Sequence, residues 1–175
     1  MEEARRLLDD LAKADPENGR LAENAACVRY MLAEDAIVRE RWAAALEHVQ
    51  AAEAKLSALA RKDPRDNDRA RMLLECYVIY PRILLKLGKT DDARKLAGTI
   101  AAYATSRKFA SSNSPRVRTL VVRALMSAGE TFGGEKEREY LMRAETEMKR
   151  IEADGISGPH VKPAWDDLRA ALKRR

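Results

Sequence analysis

The sequence predicts an all-α chain of antiparallel helix pairs, with equivalent positions 48 residues apart, and three observations carry that prediction. Hydrophobic residues make up 46% of the 175 and aromatic residues only 5%, and much of the apolar share is alanine and leucine. Those residue types favour helix and close helix–helix approach. The phrase LAKADPEN at 11–18 returns as LARKDPRD at 59–66. The same shift of 48 preserves character across three copies: Ala25, Leu73 and Val121; Ala33, Pro81 and Gly129; Ala36, Leu84 and Phe132; Ala45, Ala93 and Leu141; Ala52, Ile100 and Met148. Positions that stay apolar or small while changing identity are what a shared packing environment produces.

Each copy reads as two helices. In the first, Asn18 is placed to cap a helix over 19–38, where Leu21, Ala25, Val28, Leu32 and Ala36 recur every three or four residues on one face. A second helix spans 41–62, with Ala45, Val49, Ala52, Leu56 and Leu59 inward, and Asp63-Pro64 stops it. The second copy covers 66–104. Leu73, Tyr77, Tyr80 and Leu84 line its first helix, with Pro81 expected to kink it, and Gly88 and Thr90 are expected to end that helix and cap the next. Ala93, Leu96, Ala97 and Ile100 line the second helix. The stretch 105–114, TSRKFASSNS, reads as a loop whose Phe109 is expected to be packed. The third copy, 114–153, opens with Ser114 as cap and Pro115 as first helical residue, breaks at FGG 132–134, and continues through Leu141, Ala144, Met148 and Ile151.

The two ends fit the same register. Leu8 and Leu11 shift onto Leu56 and Leu59, so 1–14 reads as a half-repeat or N-terminal cap. Pro115, Val117 and Leu120 shift onto Pro163, Trp165 and Leu168, so 163–175 reads as a capping helix or the start of a further repeat. The expected organisation is therefore one helical-repeat domain over 1–175, either capped at both ends or continuing into a longer protein.

AGETF at 128–132, LGKTDDARKLA at 87–97 and KDP at 62–64 give the chain its likeness to a known family. A small residue and an aromatic three positions on, a glycine-bearing turn before an alanine-led second helix, and a terminating proline resemble the tetratricopeptide repeat. The usual repeat is about 34 residues; here each helix is longer by a turn or two, as in a long-helix variant found in bacterial signalling proteins. The resemblance implies a right-handed α-solenoid that binds a protein or peptide in a concave groove lined by first helices. It places Tyr30 and Glu34, Arg82 and Lys86, and Arg123, Met126 and Glu130 on that groove.

Charge is consistent with an acidic ligand. Residues 1–60 carry 8 Lys+Arg against 12 Asp+Glu, residues 61–120 carry 14 against 6, and residues 121–175 carry 11 against 10. The basic middle includes Arg82, Lys86, Arg107, Lys108, Arg116 and Arg118, and Arg123 follows directly after it. Such a run can hold an acidic peptide through charge-assisted bonds. Nucleic acid is the weaker expectation, because acids interrupt the run and aromatics for stacking are few. Self-association is a third, through apolar helix faces at the ends.

No catalytic, metal or cofactor role is expected. His48 reads as half-buried and His160 as a turn residue, and nothing resembles a nucleophile elbow, a zinc-protease helix or a phosphate loop. Cys27 and Cys76 fall in apolar helical pattern and read as free thiols in a reducing, cytoplasmic setting. The charged opening MEEARRLLDD does not read as a secretory signal, and no run is apolar enough to span a membrane.

Overall fold

The computed structural model describes residues 2–15, 17–106, 109 and 112–174. Among the described residues 84% are helical, and there are eight helices and no strand. In chain order they are α1 (Glu2–Ala14), α2 (Gly19–Val38), α3 (Trp42–Lys62), α4 (Asn67–Lys86), α5 (Thr90–Ala104), α6 (Pro115–Phe132), α7 (Gly134–Ala153) and α8 (Val161–Lys173). The chain forms two compact units, residues 1–76 and 77–175, with the boundary inside α4.

In the first unit α2 packs on α3, and α1 lies on α2. Asn18 caps α2 as expected, its side-chain oxygen accepting from the Leu21 amide at 3.2 Å. Ala25, Ala33, Ala36, Ala45, Val49, Ala52 and Leu56 are all essentially fully buried. Alanine on both sides of this seam lets two helix backbones come close. A tie reaches from the first turn of α4 to α2, where Arg69 Nε donates to Glu23 Oε2 at 3.3 Å.

In the second unit α6 is the centre, with α5, α7 and α8 packed around it. Residues 118–122, 124–129 and 131 are buried, so this helix is enclosed on almost every side. Its polar members are satisfied locally. Thr119 Oγ1 donates to the Pro115 carbonyl at 2.8 Å and Thr131 Oγ1 to the Ser127 carbonyl at 2.7 Å, while Ser127 Oγ donates to the Val78 carbonyl of α4 at 3.0 Å. Arg118 Nε donates to Glu147 Oε1 of α7 at 2.7 Å, and its Nη1 reaches Asp154 at 3.1 Å. Gly129 sits where a Cβ would come within 3.1 Å of the Tyr140 Cβ and 3.2 Å of the Glu137 carbonyl oxygen, so the α6–α7 crossing depends on its missing side chain. Phe109 is buried and meets Tyr103 edge-on, centroids 5.2 Å apart; Tyr103 in turn meets Tyr77 at 5.5 Å.

Several local expectations are corrected. Thr90 does not cap α5: Lys89 occupies the cap position and Thr90 is the first helical residue. Ser114 holds the cap position of α6 with Pro115 next, but its side chain makes no capping bond. Leu11 does not share the buried environment of Leu59: it is 42% exposed where Leu59 is 6%. As expected, Gly88, φ +72°, ends α4 in the left-handed conformation that glycine adopts without strain, and Pro81 lies inside that helix.

Candidate interaction surfaces

The residues expected on a groove are distributed over α2, α4 and α6. On α2, Tyr30 and Glu34 lie one turn apart, and the Tyr30 hydroxyl donates to Glu34 Oε1 at 2.8 Å. Burial, and then the bond to Glu34, push the Tyr30 phenol far above its ordinary range, so it stays a donor. Glu34 is exposed and Tyr30 half-buried.

Arg82 and Lys86 are exposed one turn apart on α4. On α6, Glu130 is exposed and Arg123 half-exposed, its Nη2 3.8 Å from Asp167 on α8. Met126 does not face solvent. It is 9% exposed, because the packing around α6 covers the stripe on which it lies.

The basic middle is also less available than its count suggests. Arg69 pairs with Glu23 and Asp66, Arg71 with Glu75 and Asp68, and Arg118 is buried against Glu147. Arg107 and Lys108 lie outside the described residues.

Two clefts escaped the sequence reading because their walls come from several helices. One, of about 300 Å³, has an apolar floor of Ala104, Val121 and Leu125 and a polar rim of Thr105, Arg143, Thr146, Glu147 and Arg150. Glu147 is held there by Arg118 and Arg150, so the rim offers Arg143 as its least committed cation; Arg143 rests over the Tyr140 ring at 5.2 Å. The other, of about 480 Å³, lies along α1 among Arg5, Arg6, Asp9, Asp10, Lys13, Arg29 and Lys55.

Asp9 is the hub of that second cleft. Arg29 Nη2 donates to its Oδ2 at 2.7 Å, Arg5 Nη1 lies at 3.2 Å, and Lys55 Nζ is 3.9 Å from Oδ1. Burial pushes the Asp9 carboxyl up, but the Arg29 hydrogen bond and charge, joined by Lys55 and Arg5, outweigh it and hold the group below its ordinary value. His48 is half-buried beside this cluster, its Nδ1 3.4 Å from Arg29 Nη1.

No family model matches the chain, and no curated protein or solved structure matches it.

The remaining reactive side chains are dispersed. Cys27 and Cys76 are free, and burial raises both thiols above their ordinary value, which keeps them protonated and poorly nucleophilic. Among the described residues no group of three or more His, Cys, Asp or Glu could hold a metal ion, and no helix is long and apolar enough to cross a membrane. His160 stands exposed before α8.

Proposed function

We propose that the chain is a non-catalytic scaffold of tetratricopeptide-like helix pairs. It holds an acidic peptide or protein segment, as a regulatory region of a larger bacterial signalling protein would. The observation that carries this reading is a shared burial register. Ala45, Ala93 and Leu141 are each 0% exposed, as are Ala52, Ile100 and Met148, while Ala25, Leu73 and Val121 are each at 2–3%. Three copies that bury the same positions on successive helix pairs are what stacked repeats require. The fold hosts many partners, so the ligand class rests on charge alone.

Arg82 and Lys86 are the first candidates to meet a carboxylate-rich ligand, because both are exposed on one stripe of α4. Fluorescence anisotropy with acidic, neutral and basic peptide pools tests this. The acidic pool is expected to bind, to weaken with salt, and to lose about tenfold in affinity in the Arg82→Glu/Lys86→Glu variant. Binding that ignores both the peptide charge and the double variant rejects the assignment. Single-stranded and duplex nucleic acid at about 50 mM salt serve as the control and are expected not to bind.

A further inference from the structure

Helix α1 presents an apolar stripe outward. Ala4, Leu7, Leu11 and Ala14 follow one another at spacings of three, four and three, which places them on one face. All four are exposed, Leu7 at 61% and Leu11 at 42%. The opposite, inward side is mixed: Asp9, paired with Arg5, meets Arg29 of α2 and Lys55 of α3, beside the half-buried Leu8 and Ala12. Ion pairs and the half-buried Leu8 and Ala12 attach the helix, while Leu7 and Leu11 face water.

A second stripe runs beside the first, one residue earlier at every step: Glu3, Arg6, Asp10 and Lys13, all exposed. Its signs alternate as minus, plus, minus, plus. Reversed end for end, this order is its own complement. A two-fold antiparallel pairing of two α1 helices along the apolar stripe sets Leu7 of one copy against Leu11 of the other. It also brings the two charged stripes to the same side of the seam. Glu3 then meets Lys13 and Arg6 meets Asp10, each twice. A parallel pairing turns each charged stripe away from its counterpart. Asp10 and Lys13 lie 3.9 Å apart, with both side chains more than three-quarters exposed.

We infer that α1 is a self-association surface, and that its occupant is the α1 of a second copy of this chain in antiparallel orientation. The inference does not rest on the peptide-binding reading, which concerns α4. Two helices of 13 residues bury less than the ~1,200 Å² of a standard stable interface, so the dimer is weak and reversible.

Sedimentation equilibrium of the full chain tests it. The average mass is expected to rise from 19.7 kDa toward twice that value as protein approaches about 1 mM, and to fall back at high salt. Leu7→Ser/Leu11→Ser is expected to stay monomeric with unchanged helicity by circular dichroism. The decisive arm is a mixture. Arg6→Glu alone sets the introduced glutamate against Asp10, and Asp10→Arg alone sets Arg6 against the introduced arginine. Each is expected to weaken self-association at least about tenfold, whereas mixing the two variants restores a pair, since every cross-contact is then between opposite charges. A wild-type chain that remains monomeric at about 1 mM overturns the inference and assigns the stripe to a different occupant. Dimers that persist in both single-charge variants, or a mixture that fails to recover, overturn the antiparallel pairing.

Discussion

The first and last helices, α1 and α8, have the same length of 13 residues, and both are amphipathic. They attach to their units with different balances of apolar and charged contact. In α8, Ala164, Leu168 and Ala171 are buried at 0–5% exposure against α6 and α7, and Trp165 lies half-buried at the edge with its Nε1 donating to Glu152. In α1 no leucine is buried, and the inward face carries Asp9, with Arg29 and Lys55 reaching it from the neighbouring helices. The contrast teaches that an amphipathic pattern fixes the existence of an apolar face but not what covers it. Apolar burial holds α8 in place and is proportional to area removed from water. Ion pairs centred on Asp9, beside the half-buried Leu8 and Ala12, hold α1, and partly buried ion pairs add little net stability after desolvation.

Substitutions that probe each attachment should therefore differ in size and in kind. Leu168→Ala removes a fully buried side chain and is expected to lower the unfolding free energy by about 2–5 kcal/mol, read as a shift in the urea midpoint. Asp9→Asn leaves Arg29, Lys55 and Arg5 without their common anion. It is expected to free α1 while leaving α8 in place, seen by NMR as loss of helical shifts confined to 2–14.

Acid should act on the same latch. The Asp9 carboxyl is held below its ordinary value of 3.8 in the folded protein, so its contribution is present above that value and is lost as pH falls through the lower, folded one. In a titration from neutral pH to below 3.8, α1 resonances are expected to change before those of α8. The smallest effect belongs to the outward leucines. Leu7→Ser/Leu11→Ser should change unfolding free energy by no more than about 0.5 kcal/mol per site at dilute protein, because exposed apolar side chains contribute little. A large destabilisation there would show that the stripe is already packed within the monomer and would erase the contrast with α8.

The helices were legible from sequence where a strong period met a clear stop. Asn18 before α2 and Asp63-Pro64 after α3 bracket elements within a residue of their expected bounds. Burial of Ala45, Ala93 and Leu141, and of Ala52, Ile100 and Met148, followed from the 48-residue register, whereas Phe132 is only half-buried where its counterparts Ala36 and Leu84 are buried. Leu11 escaped it because the same shift onto Leu59 does not bring a helix against its outer side. Met126, which the resemblance places on a groove, is buried. Ser127, Thr131 and Arg118 look like signs of a wet face on α6, yet each is paired to a carbonyl or carboxylate and buried. A polar residue marks solvent only when no internal partner is within reach. The cleft above Ala104, Val121 and Leu125 was illegible because three helices build it.

Enclosure of α6 also bears on how this chain can change over generations. A helix with one wet side absorbs neutral substitutions there and drifts; one whose residues 118–122, 124–129 and 131 all touch neighbours has almost nowhere to accept them. Gly129 is tighter still, since even a methyl group would press on Tyr140. Among descendants of this sequence, α6 should be the slowest segment to diverge, and changes within it should come in compensated pairs with α7.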